Sequence, residues 1–209
     1  MTGTVDRKAD RSPFTQTVIG IATSAGGLSA LSHLLSALPP TLDAAILIVQ
    51  HLDPARPSHL ADILGRRTSL PVKQATGEDR LHAGAVFIAP PGAHLLVDSE
   101  GTISLSHLPP VHFVRPAADR LFESIAGSFG ARAVAVVLTG TGHDGATGAQ
   151  AVKQAGGKVI VQDESTSEFF GMPKSAIDAG QVDLVLPLDE IAPALVALCG
   201  GAACSDAGP

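Results

Sequence analysis

Two runs of unbroken apolar residues constrain this chain most. Ala44–Gln50 (AAILIVQ) and Ala133–Leu138 (AVAVVL) show no alternation of apolar and polar side chains. A strand with one face in water alternates; one that does not is covered on both faces, as in parallel sheets flanked by helices. The shorter runs Thr17–Ala22 (TVIGIA), Lys158–Val161 (KVIV) and Leu184–Leu186 fit the same sheet.

Between the strands, apolar residues recur at helical spacing. Leu28, Leu31, Leu34, Leu35 and Leu38 precede the stop Pro39-Pro40. Leu121, Phe122, Ile125, Ala126 and Phe129 share a face within Arg115–Phe129, with Pro116 read as its first turn. Further helices are expected over Ser58–Arg67, from the loop Thr139–Gly145 to about Ala155, near Pro173–Ala179 and over Glu190–Leu198. Strand-helix alternation predicts an α/β, doubly wound, mostly parallel sheet. Val72–Ala75, Ala85–Pro90, Leu95–Asp98 and Thr102–Leu105 read as short strands of an antiparallel annex. Residues 1–16 read as a disordered tail, 17–199 as one domain and 200–209 as a frayed end.

Composition excludes several classes. With seven Phe and neither Trp nor Tyr, no set of aromatic rings is available to stack bases. Fourteen Lys and Arg against 20 Asp and Glu leave a net charge of -6, so nucleic acid is not an expected partner. No apolar run approaches the roughly 18 residues of a spanning helix, so membrane insertion is not expected. Cys199 and Cys204 lie at the C-terminus outside metal-ligand spacing, which favours a reducing, cytoplasmic setting. Oligomeric state is not encoded in any feature of the sequence.

Three strand ends carry reactive side chains. Ser24 follows the first strand, His51 the second, and Asp144 the run Ala133–Leu138; in a doubly wound sheet these loops open on one edge. Ser24 sits in Thr23-Ser24-Ala25-Gly26-Gly27, close to a Gly-x-Ser-x-Gly nucleophile elbow, and the helix that follows aims its N–H groups at the same spot. The bland alternative is a Ser that only caps that helix. His51, at a turn-forming Leu52-Asp53-Pro54, reads on its own more readily as a plain loop residue. His33, His59, His82, His107 and His112 show no convergent partner, and His94 is at most a rim residue.

The loop around Asp144 admits a rival. Gly140–Gly145 is formally GxGxxG, followed about 20 residues on by Asp163 and Glu164, as in a dinucleotide fingerprint. Against it, Asp144 would place a carboxylate where a pyrophosphate must sit. No His-x-x-x-His or Cys-x-x-Cys pair exists, so a metal is not expected, and a dinucleotide cofactor stays the weaker rival.

These segments together resemble the catalytic domain of the chemotaxis protein-glutamate methylesterases, the CheB family. The resemblance runs in order through IGIATSAGG (19–27), VQH (49–51), GAVFIAPPGAHL (84–95), RPAADRLF (115–122), LTGTGHDGATG (138–148) and QDESTSEFFGMP (162–173). It implies a flavodoxin/Rossmann-like sheet with a small antiparallel β-hairpin annex. It also implies a serine esterase in which Ser24 is the nucleophile, His51 the base and Asp144 its orienting carboxylate, with backbone donors at Ala25 and Thr141. Its substrates would be glutamate methyl esters on the cytoplasmic helices of chemoreceptors, with glutamine deamidation as a side activity. Family members commonly carry Thr and Met where this chain has Ala25 and Thr141, changes that leave the N–H groups in place. The family's N-terminal phospho-receiver has no counterpart in this sequence, which implies no control by phosphorylation in cis. A receptor-binding module of the same fold without catalysis is the alternative from another class.

Overall fold

All seven residues of Ala44–Gln50 are buried, as an unbroken apolar run requires. In the computed structural model, which describes residues 14–53 and 56–200, this strand lies near the middle of a parallel sheet. The strands are β1 (Thr17–Thr23), β2 (Ala44–Gln50), β3 (Val72–Gln74), β4 (Val86–Ile88), β7 (Ala133–Val137), β8 (Lys158–Gln162) and β9 (Leu184–Leu186). Their order is β3-β4-β2-β1-β7-β8-β9, every neighbouring pair parallel. A separate antiparallel hairpin joins β5 (His94–Val97) to β6 (Ile103–Ser106).

The helices are α1 (Gly27–Ser36), α2 (Leu60–Gly65), α3 (Ala118–Phe129), α4 (Ala146–Gln154), α5 (Gly171–Asp178) and α6 (Leu188–Gly200). Side chains alternate across the strands, so the sheet splits the core in two. Val18, Leu47, Val49 and Val137 pack with Phe122, Ile125 and Val152 of α3 and α4. Ile19, Ile21, Ile46 and Ile48 pack with Leu31, Leu34 and Leu35 of α1 and Leu195 of α6. Cys199 of α6 is buried in the second layer, and that burial pushes its thiol up to about 11.

Three readings need correction. Val72–Gln74 and Val86–Ile88 belong to the parallel sheet, not to the annex; only the β5-β6 hairpin is antiparallel. Each of the two strands has three residues, too few for a period to declare its partner. Helix α3 begins at Ala118 after an extended Ala117, so Pro116 precedes the helix. Helix α2 covers only Leu60–Gly65, short of the expected ten-residue span. The expected tails lie largely outside the described residues, although Phe14 packs edge-on against Phe129, and Arg132 donates to the carbonyls of Phe14 and Gln16.

Helices α3 and α4 approach closely because Gly148 has no side chain. A Cβ there would lie 2.6 Å from Phe122 Cβ and 2.9 Å from the Asp119 backbone. Gly148→Ala is expected to cost about 1–3 kcal/mol through overpacking that the backbone cannot relieve. A thermal melt should show the midpoint several degrees lower; an unchanged midpoint would mean the helices separate freely.

Candidate active site

The strand order reverses at β1, with β2 on one side and β7 on the other, and a doubly wound sheet opens its crevice at such a point. Ser24 follows β1, His51 follows β2, and Asp144 lies in the loop after β7. Thr23 and Gln50 are register partners, so Ser24 and His51 leave the sheet side by side. The His51 N–H donates to Thr23 O at 3.2 Å, and the Ser24 N–H to Thr139 O at 3.1 Å.

The structure brings two of the three side chains into direct contact. His51 Nε2 lies 2.7 Å from Asp144 Oδ2. A carboxylate only accepts, so the ring donates from Nε2, and in the neutral imidazole the lone pair lies on Nδ1. Among the described residues no hydrogen bond joins Ser24 Oγ to His51. The ring nitrogen left for that contact is Nδ1.

Asp144 is 3% exposed and has three donors. Besides His51, the Ala118 N–H reaches Oδ2 at 2.6 Å and the Asp119 N–H reaches Oδ1 at 3.1 Å. These two are free N–H groups of the first turn of α3, whose dipole favours a negative charge. Burial by itself would raise the carboxyl pKa; the bonds from His51, Ala118 and Asp119 outweigh it and hold the group below the ordinary aspartate range. Asp144 is therefore an anion at neutral pH.

A second carboxylate mirrors the first. Asp119, in the first turn of α3, accepts from the Gly145 and Gly148 N–H groups at the start of α4, at 3.0 and 2.8 Å. Each helix thus has its N-terminus held by an aspartate associated with the other. Burial, with the nearby Asp144 charge, pushes the Asp119 carboxyl above its ordinary range. This arrangement also answers the dinucleotide alternative, because the α4 N–H groups that would hold a pyrophosphate are already bonded to Asp119.

Several supporting residues lie in the segments that carry the family resemblance, but no local spacing assigns them a role. His94, 1% exposed, accepts from the Ala117 N–H at Nδ1 and donates from Nε2 to Pro109 O, which fixes the entry to α3. Gln50 Nε2 donates to Ser24 O at 2.8 Å and His51 O at 3.2 Å, tying two strand ends together, while its buried Oε1 has no partner among the described residues. Thr139 is 2% exposed: its carbonyl accepts from Thr23 Oγ1, its N–H donates to Gln162 Oε1, and its Oγ1 donates to Ala25 O. His112 does have partners, contrary to the sequence reading: it meets Asp119 and His143, contacts made across 7 and 31 residues of chain.

The turn after Ser24 depends on absent side chains. Gly26 adopts φ 78° at the N-cap of α1, a left-handed conformation suited to glycine. A Cβ on Gly140 would lie 2.9 Å from Ser24 Cβ and would clash with Met172 Sδ, so only glycine lets the β7 loop approach Ser24. Among the described residues, neither the Ala25 nor the Thr141 N–H is bonded to an acceptor.

Ser24 opens on a cleft of about 1090 Å³ whose wall includes Gln50, Leu52, Arg56, Arg67 and Glu168. Among the described residues no three His, Cys, Asp or Glu side chains are placed to hold a metal, and no helix is long and apolar enough to cross a membrane.

The comparisons with known proteins agree on one family. The family model described as CheB methylesterase matches residues 19–195. A protein-glutamate methylesterase/protein-glutamine glutaminase of Moorella thermoacetica is 43% identical over 189 residues, covering 88% of this chain and 45% of that protein. One from Anaeromyxobacter dehalogenans is 46% identical over 178 residues, covering 85% of this chain and 52% of its own length. The chain therefore spans about half the length of these relatives. The crystal structure of the Thermotoga maritima CheB methylesterase catalytic domain superposes with a TM-score of 0.84 at 36% identity, covering 88% of this chain and 98% of that one.

Proposed function

Because the chain belongs to the CheB methylesterase family, we propose that it hydrolyses glutamate methyl esters on the cytoplasmic helices of chemoreceptors. The observation that carries this reading is the His51–Asp144 pair beside Ser24 at the point where the strand order reverses.

Ser24 Oγ attacks the ester carbonyl while His51 Nδ1 takes the hydroxyl proton. Charge developing on the carbonyl oxygen is received by the Ala25 and Thr141 N–H groups, each worth about 3–4 kcal/mol where such a donor has been removed in a hydrolase. His51 returns its proton to the departing methoxide, methanol leaves, and a glutamyl ester on Ser24 remains. Water attacks that ester by the same proton route, freeing glutamate and restoring Ser24. Asp144 stabilises the imidazolium and fixes its tautomer throughout. A receptor glutamine passes through a similar intermediate and would yield glutamate and ammonia. The chain's own residues supply every proton transfer, so the proposal includes no cofactor.

The cleft suits a macromolecular substrate, since about 1090 Å³ far exceeds one glutamyl side chain and its wall carries Arg56 and Arg67. A receptor's cytoplasmic helix as substrate places the reaction in the cytoplasm. Purified protein incubated with methylated receptor membranes should release methanol continuously. Binding without methanol release would leave a docking module and sink the esterase.

A further inference from the structure

We infer that Phe113 is an apolar anchor for the helix that presents the ester, an assignment that rests on the esterase reading above. Val111 and Val114 exchange both backbone hydrogen bonds, at 3.1 and 2.9 Å, and close a two-residue loop of His112 and Phe113. Both loop residues lie in the left-handed region, with φ 50° and 66°. This is the pattern of a type I′ turn, which normally takes Asn-Gly because a side chain at positive φ is strained. A bulky aromatic residue there is an outlier.

Strain of this kind persists only where the surroundings impose it. For His112 the reason lies inside the protein: Nε2 is 3.1 Å from Asp119 Oδ2, and Nδ1 is 2.9 Å from His143 Nε2. These contacts tie the turn to the carboxylate that holds the start of α4. Phe113 has no such compensation. At 101% exposure its ring is fully in solvent and contributes no burial to the fold. A phenyl ring held in strained backbone and left in solvent is accounted for by a contact outside the chain.

Its position names the occupant. Phe113 lines a hollow of about 140 Å³ with His51, Leu52, Pro110, Val114 and Pro116 among its neighbours. Leu52 also lines the cleft that reaches Ser24, so the hollow that holds His51 and the cleft that holds Ser24 share a wall. Leu108, 61% exposed, is tied to the same hollow through its carbonyl, which accepts from Arg115 of the lining. A helix lying with its esterified glutamate toward Ser24 places residues three or four positions away on the same face. The anchor fits an apolar residue on that face, which makes an amphipathic helix the substrate and distinguishes it from an isolated ester.

The test compares Phe113→Asn and Phe113→Leu with the wild type on two substrates, a methylated helical receptor fragment and a small blocked glutamate γ-methyl ester. Asparagine tolerates the left-handed region, so Phe113→Asn should melt no lower than the wild type. Its kcat on the small ester should stay within about twofold, while KM for the receptor fragment rises about tenfold or more, as loss of a buried aromatic anchor does. Phe113→Leu should retain most of the receptor affinity. Equal KM values for wild type and Phe113→Asn on the receptor fragment would overturn the assignment. Parallel losses on both substrates would overturn it too, by making the ring part of the fold or the chemistry. A wild-type dimer in sedimentation that Phe113→Asn dissolves would give the ring to a second copy of the chain. Wild-type protein that releases methanol from neither substrate would refute the esterase itself, a result visible before any variant is compared.

Discussion

Ser24→Ala will lower kcat for methanol release by at least about 10⁴-fold and leave the thermal midpoint unchanged. The size follows from what the substitution removes. The turn that carries Ser24 is held by its main chain: the N–H bonds to Thr139 O, and the carbonyl accepts from the Gly27 N–H and from Gln50 Nε2. None of these involves the hydroxyl, so alanine deletes one oxygen from an intact site. What survives is binding and the donors at Ala25 and Thr141, which in a comparable hydrolase retain roughly 10³–10⁴-fold acceleration over water. Turnover is measured as methanol released per enzyme over time. A variant that keeps its kcat would show that water attacks the ester directly with His51 as base, and no glutamyl ester would then form on the protein.

The parts of this site legible in the sequence are those set by local rules. The central strands announce themselves because β2 and β7 are apolar on both faces, and a doubly wound sheet sends their ends to one edge. Local rules alone therefore direct Ser24, His51 and Asp144 to one edge of the sheet. Strands β3 and β4 could not be placed, because three residues do not establish a period and β4 joins the sheet only through β2, with Ile46 opposite Val86. The supporting residues were illegible for a different reason. Asp119 in the first turn of a helix reads as a solvated residue favoured by the helix dipole, yet it is 2% exposed and serves another helix. Gln50, His94, Thr139 and Gln162 likewise act by bonding backbone groups brought near by the fold, and no spacing encodes such partners.

Asp144→Asn will lower kcat by about 10⁴-fold, the loss seen when the orienting carboxylate of a protease triad becomes an amide. The three donors around Asp144 explain why an amide cannot substitute. If the amide oxygen takes the place of Oδ2, it can accept from His51 Nε2 and the Ala118 N–H, but its NH₂ then faces the Asp119 N–H across the 3.1 Å now spanned by Oδ1. If the NH₂ takes the place of Oδ2, it opposes the Ala118 N–H across 2.6 Å. It can then satisfy His51 only by moving the ring proton from Nε2 to Nδ1, and a protonated Nδ1 cannot take the proton from Ser24. Both placements also remove the negative charge that offsets the imidazolium. The carboxylate has a second occupation, holding the first turn of α3, and the two roles separate in the measurement. In either placement the amide oxygen still accepts from one α3 N–H and loses the other, so a carboxylate needed only for α3 would lower the melting midpoint and leave the turnover of the folded protein near that of the wild type. A fall in kcat much larger than the accompanying fall in thermal midpoint assigns Asp144 to the chemistry. A kcat loss below about tenfold would reduce it to a cap and leave His51 working without an orienting partner.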